Sequence, residues 1–129
     1  MGIKIKHELG LSITSVENEK DNEEKVEKIF VKASRNVNLG DYLIYDATFD
    51  DDEGLSNRGR HVYRFPKCEL AEGQRAVLRI EEGVRSPIPV TFGGKPGFRF
   101  YWGRKGPVIN NGGDKLTLVE IKGSSVHTA

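Results

Sequence analysis

The sequence predicts an all-β fold, a sandwich or barrel of about seven or eight short strands. Three observations predict it. Apolar residues alternate with polar ones at a period of two, which marks half-buried strands. The alternating runs are short. They are separated by turn chemistry, with 15 glycines and 5 prolines in a chain of 129 residues.

Taken in order, Ile3 and Ile5 alternate with lysines, and Leu11 and Ile13 with serine and threonine. Asn22 to Ile29 is rich in Glu and Lys, and Asn22 is placed to cap a helix. That segment has no apolar stripe and runs straight into Lys28-Ile29-Phe30-Val31, so a charged hairpin loop entering a strand is expected. Ile29, Val31 and Ala33 then share one face. Tyr42-Leu43-Ile44-Tyr45 is apolar on both faces, as a central strand should be. His61, Tyr63 and Phe65 alternate with Val62 and Arg64, and Ala76, Leu78 and Ile80 with Val77 and Arg79. Phe98, Phe100 and Trp102 alternate with Arg99 and Tyr101, and Leu116 and Leu118 with Thr117, Val119 and Ile121.

The breaks are Asn38-Leu39-Gly40-Asp41, Glu72-Gly73-Gln74 and Asn110-Asn111-Gly112-Gly113-Asp114, where Asn and Gly tolerate positive φ. Pro66, Pro87, Pro89, Pro96 and Pro107 are expected at or beyond strand ends, where a missing N–H does least harm. Two long loops are expected, 49–59 and 82–97. Residues 124–129 read as a frayed tail behind a core over 11–123, all within one domain of 1–129.

Twenty basic residues nearly cancel nineteen acidic ones, for a net charge of +1, so no global footprint for nucleic acid exists. Glu17 to Glu27 is mostly acidic, while Arg99 to Lys105 carries only basic charges. Cys68 stands alone, which forbids an internal disulfide, and with His7, His61 and His127 it makes no zinc pattern. No cofactor is expected. No apolar run approaches a membrane span, and Met1 to Lys6 is no signal peptide, so the chain is read as cytoplasmic or as a domain of a longer protein.

Val31-Lys32-Ala33-Ser34 followed by Val37 to Asp46 resembles the opening of a lamin tail domain. Tyr63-Arg64-Phe65-Pro66 and Leu70-Ala71-Glu72-Gly73-Gln74 are similar to that family's Phe-Pro and Leu-x-Pro-Gly elements. Trp102, then Asn110 to Leu118, resembles its Trp…Asn-x-Gly-Asp-x-x-x-Leu signature. The likeness spans Leu11 to Gly123. Tyr42 stands where the family usually has Trp, and Ala71-Glu72 replaces Ala-Pro. The resemblance implies an immunoglobulin-like β-sandwich of about seven to nine short strands that binds proteins and chromatin without catalysis. It puts structural roles on Gly40, Asp46, Pro66, Gly73, Asn111, Gly113 and Asp114. Fold analogy alone assigns no ligand.

Arg99, Tyr101, Trp102, Arg104 and Lys105 interleave aromatic and basic groups, which suits stacking on bases or sugars and pairing with phosphates. Arg58, Arg60 and His61 would extend such a patch. The plainer reading puts Phe98, Phe100 and Trp102 in the core and leaves the basic residues as a solvent face. Asp50-Asp51-Asp52-Glu53 lacks calcium-loop spacing and reads as a solvated loop or a docking surface for a basic partner. No nucleophile elbow, zinc-protease motif or phosphate loop is present, and Cys68 reads as a packing residue before it reads as the partner of His61 in a dyad.

The function expected is therefore a non-catalytic interaction or scaffold module that binds a protein partner through loops or sheet edges. The alternatives are a nucleic-acid or glycan binder using the aromatic-basic face, and an accessory domain of a larger secreted or membrane-associated hydrolase. The sequence leaves the oligomeric state open.

Overall fold

The computed structural model describes residues 8–47, 59–104, 106, 108–109 and 115–128. Its strands are β1 (Leu11–Glu17), β2 (Lys28–Ala33), β3 (Val37–Asn38), β4 (Tyr42–Ala47), β5 (Gly59–Arg64), β6 (Glu69–Leu70), β7 (Arg75–Arg79), β8 (Ile88–Phe92), β9 (Lys95–Tyr101) and β10 (Lys115–Glu120). The only helical pieces among the described residues are single 3-10 turns at Glu19–Asp21 and Leu39–Asp41. The fold is all-β.

Five strands form one sheet in the order β1-β2-β7-β9-β8, and three form another in the order β10-β4-β5. β3 and β6 make a short separate pair. Within the two larger sheets every pairing is antiparallel except β7 with β9. Alternation turns Ile29, Val31, Ala33, Ala76, Leu78 and Phe100 of the first sheet into the core, to meet Tyr42, Ile44, Tyr63 and Phe65 of the second region. Aromatic rings join the two sides. Phe65 meets Phe100 edge-on with centroids 5.2 Å apart, and Tyr63 meets Trp102 at 5.4 Å. Leu39, just after β3, and Leu70 of β6 are fully buried in the same core. This is the layered arrangement of a sandwich.

Two expectations need correction. The stretch 82–97 is not one long loop, because β8 lies inside it. Ile88, Val90 and Phe92 alternate with Pro89 and Thr91, but the prolines hide the period. Pro89 therefore sits within a strand, opposite Phe98, and Pro96 sits within β9. β8 is an edge strand and tolerates Pro89, because half of its N–H groups have no sheet partner anyway, while Pro96 lies at the start of β9, before the Arg75–Gly97 pair where β7 joins it. Gly93 (φ 57°) and Gly94 (φ 83°) close the β8–β9 hairpin as a two-residue turn with both φ positive.

Between β1 and β2 there is no helix over 22–29. A 3-10 turn precedes a loop that Asn22 brackets, its side chain donating to the Val26 carbonyl (2.7 Å) and accepting from the Val26 N–H (3.2 Å). The alternation at Ile3 and Ile5, residues 49–58 of the first long loop and the Asn110 to Asp114 turn lie outside the described residues.

Candidate binding face

One face of the five-stranded sheet looks inward. Its other face carries Phe30 and Lys32 of β2, Arg75, Val77 and Arg79 of β7, Gly97, Arg99 and Tyr101 of β9, and Ile88, Val90 and Phe92 of β8. The register sets these in rows, Phe30–Val77–Arg99–Ile88 and Lys32–Arg75–Gly97–Val90. Phe30, Ile88, Val90 and Phe92 are half-buried, so the face is a mixture of apolar and basic side chains.

The two ends of this face differ in electrostatics. At one end Arg79 is ion-paired with Glu24 (2.7 Å) and with Glu81. Its hydrogen bond to Arg79, then that to Lys28, pulls the Glu24 carboxyl down to about 2. At the other end Lys32, Arg75 and Lys95 line a groove of about 440 Å³ together with Phe92, Pro96 and Glu72. Among the described residues no carboxylate pairs with Lys32, Arg75, Lys95 or Arg99. The Nε of Arg99 is buried without a hydrogen-bond partner.

Gly97 shapes this end. A methyl group there would meet the Arg75 carbonyl oxygen and come within 2.5 Å of the Phe92 ring. The absence of a side chain lets Phe92 fold over β9 and present an apolar wall beside the cations.

The residues singled out in the sequence do not gather on one surface. Arg99 lies on the face just described. Tyr101 belongs to the same face, but its ring lies against Gly83, where a methyl group would approach Cδ1 to 2.6 Å. Trp102 is partly buried against the core and stacks beside Tyr63. His61 belongs to the other sheet, where its backbone N–H donates to Asp46 Oδ1 (2.7 Å) and its Nδ1 lies 3.0 Å from Oδ2. Arg104 is half-buried in a second concavity of about 430 Å³, beside Glu27, Glu81 and Glu82, with its Nε unpaired. Arg60 is on β5 with its side chain outside the described residues, and Arg58 and Lys105 lie wholly outside them.

Among the motif residues, Gly40 donates its N–H to Asn38 Oδ1 (2.9 Å) and accepts from Arg64 Nε (3.0 Å). Asp46 is 1 % exposed and anchors His61. Gly73 has φ 85°, and its N–H donates to the Ala33 carbonyl at 2.8 Å. Pro66 is half-buried, following Phe65. Asn111, Gly113 and Asp114 lie outside the described residues. Burial raises the Cys68 thiol pKa, which lowers its thiolate fraction. Among the described residues no three His, Cys, Asp or Glu side chains converge as metal ligands.

Sequence reasoning missed the groove. Lys32 was legible as a solvent-facing residue between Val31 and Ala33, but nothing local ties it to Arg75 or Lys95. The β2–β7 register sets Lys32 opposite Arg75, and the β8–β9 hairpin supplies Lys95. No family model matches the chain, and no curated protein or solved structure matches it significantly. No helix among the described residues is long and apolar enough to cross a membrane.

Proposed function

We propose that this chain is a non-catalytic interaction module, an immunoglobulin-like sandwich of the lamin-tail type, that holds a protein partner on the outer face of its five-stranded sheet. The observation that carries this reading is the make-up of that face. Half-buried Phe30, Ile88, Val90 and Phe92 are interleaved with cations that have no carboxylate partner among the described residues. Such a mixture suits a protein interface.

The sheet edges favour the face over strand addition. Pro89 sits on the β8 edge, and β1, the opposite edge, carries a register shift between Ile13 and Ser15. Prolines and bulges are the usual devices that blunt an edge. The lamin-tail reading is supported by where its elements fall. Tyr42 to Asp46 lies on β4, Gly73 makes a positive-φ turn, and Leu116 and Leu118 lie on β10 packed against the core. The non-catalytic reading is supported by the engagement of the buried acids. Glu27 holds backbone amides and Asp46 holds His61. A glycan or base-stacking site is less well supported, since the rings of Tyr101 and Trp102 are already packed.

Peptides selected from a random library on the immobilised chain should shift amide resonances of β2, β7, β9 and β8 in an isotope-labelled sample. Binders that shift only β4, β5 and β10, or a selection that yields none, would overturn the proposal.

A further inference from the structure

We infer that the groove at the Lys32–Arg75–Lys95 end of this face receives an acidic peptide segment that carries an apolar side chain. This inference rests on the interaction-module reading and names the partner's chemistry. Lys32 and Arg75 stand directly opposite each other on adjacent strands. Like charges so placed oppose sheet pairing, and an anion bound between them would remove that cost. Lys95 adds a third positive charge from the β8–β9 hairpin, and among the described residues Glu72 is the one acidic side chain on the rim. Arg75 offers the planar fork that takes a carboxylate in two parallel hydrogen bonds. Phe92, lying over Gly97, and Pro96 supply the apolar wall. The groove's volume of about 440 Å³ accommodates a few side chains and no more.

A nucleic acid fits less well. It needs a track of cations that follows successive phosphates. Here the positive charge stops within one face, because Arg79 at the far end is neutralised by Glu24 and Glu81. The chain as a whole carries only +1. A short acidic segment needs only the local cluster.

The test is fluorescence anisotropy with a labelled peptide of alternating Glu and Leu, its Gln/Leu counterpart, and a labelled oligothymidylate. Each is titrated with the whole chain at low and at near-physiological salt. The acidic peptide should bind, weaken with salt, and weaken about tenfold or more for the Arg75→Glu, Lys95→Glu double variant. A Lys20→Glu, Lys67→Glu variant changes the charge equally outside the groove and should bind within about twofold of the parent. Arg75→Gln with Lys95→Gln repeats the experiment without reversing charge, and thermal melts of all variants verify folding.

Equal binding of the Gln/Leu peptide, no binding of the acidic one, or binding that survives the groove variants overturns the inference. So does oligothymidylate that binds as tightly and is lost in the same variants, which would make the groove a nucleic-acid site. In each case, library peptides that still shift β2, β7, β9 and β8 would leave the interaction-module reading standing.

Discussion

Glu27 is 2 % exposed, and its Oε1 accepts hydrogen bonds from the backbone N–H groups of Val108 (2.5 Å) and Ile109 (3.0 Å). A side chain just before β2 thus pins the connection between β9 and β10. Burial raises its pKa, and the two amides only partly offset that. A carboxyl whose folded pKa lies above its unfolded value contributes fully below the unfolded value of 4.5 and loses that contribution as pH rises through the folded one. Glu27→Gln keeps an acceptor for the amides and removes the ionisation. Glu27→Ala leaves both amides unpaired, at a cost of about 1–3 kcal/mol. Urea denaturation at neutral pH should place the Gln variant at or above the parent and the Ala variant clearly below it. A Gln variant no better than Ala would sink this account. Glu27 was readable in one respect: it shares the parity of Ile29, Val31 and Ala33, and so points to the core side of the strand. Its place in the acidic stretch Glu17 to Glu27 concealed this, because a run of charges reads as solvated.

The strands that the sequence made legible are those with four or more alternating positions, which covers β1, β2, β4, β5, β7, β9 and β10. β3 and β6 have two residues each, and no period can be read from two residues. β8 is long enough, but Pro89 interrupts it. The two-residue turn at Gly93-Gly94 makes Phe92–Lys95 a hydrogen-bonded pair, and alternation then puts Pro89 at a position whose N–H would point away from β9. Proline there removes an outward donor from the sheet edge without removing a ladder bond. Pro89→Val restores the donor on a strand of Ile, Val and Phe. Sedimentation velocity should show more self-association for that variant than for the parent at the same concentration, with an unchanged circular dichroism spectrum. Equal sedimentation of the two chains would show that Pro89 has no protective role at this edge.

Charges link the sheets across the molecule. Glu120 on β10 accepts from Arg35 (2.8 Å), the Tyr42 hydroxyl (2.5 Å) and Lys122 (2.5 Å). Its hydrogen bonds to Lys122 and then Tyr42 hold its pKa down to about 2, as those of Arg79 and Lys28 do for Glu24. A carboxylate with a depressed folded pKa stabilises the fold above its unfolded value and stops doing so as pH falls through the folded one. The melting temperature should therefore fall as pH is lowered from about 4.5 to about 2. Glu24 has a side chain 53 % exposed and that of Glu120 is 9 % exposed, so screening discounts the first more. Glu120→Gln should flatten the acid limb more than Glu24→Gln, in calorimetric melts across that range. A flat limb in the parent, or the opposite ranking, would refute the assignment.

At this scale the class of fold was legible in the amino-acid pattern, and its wiring was not. Alternation reports which residues of a strand share a side, and it is silent on which strand lies beside which. The binding groove depends on that second kind of information. Its three cations come from three separate segments, Lys32, Arg75 and Lys95, and only the strand order brings them together. The aromatic-basic segment is conspicuous in the sequence because it is continuous in the chain. Its alternation instead split it, Trp102 to the core and Arg99 to the open face.

β9 lies between β7 and β8 although it follows both in the chain, and among the described residues β8 has no sheet neighbour except β9. The sheet cannot grow in the order in which a ribosome delivers it. Translation at about 5–20 residues per second leaves the edge of β7 open for about a second or more before β9 emerges. β8 is completed within that interval and then has nothing to pair with until β9 follows. The hairpin of β8 and β9 closes on the microsecond scale once both are made, and it then fills the gap as a unit. A chain truncated after Phe92 would thus leave β7 with one side open and β8 with no sheet partner at all.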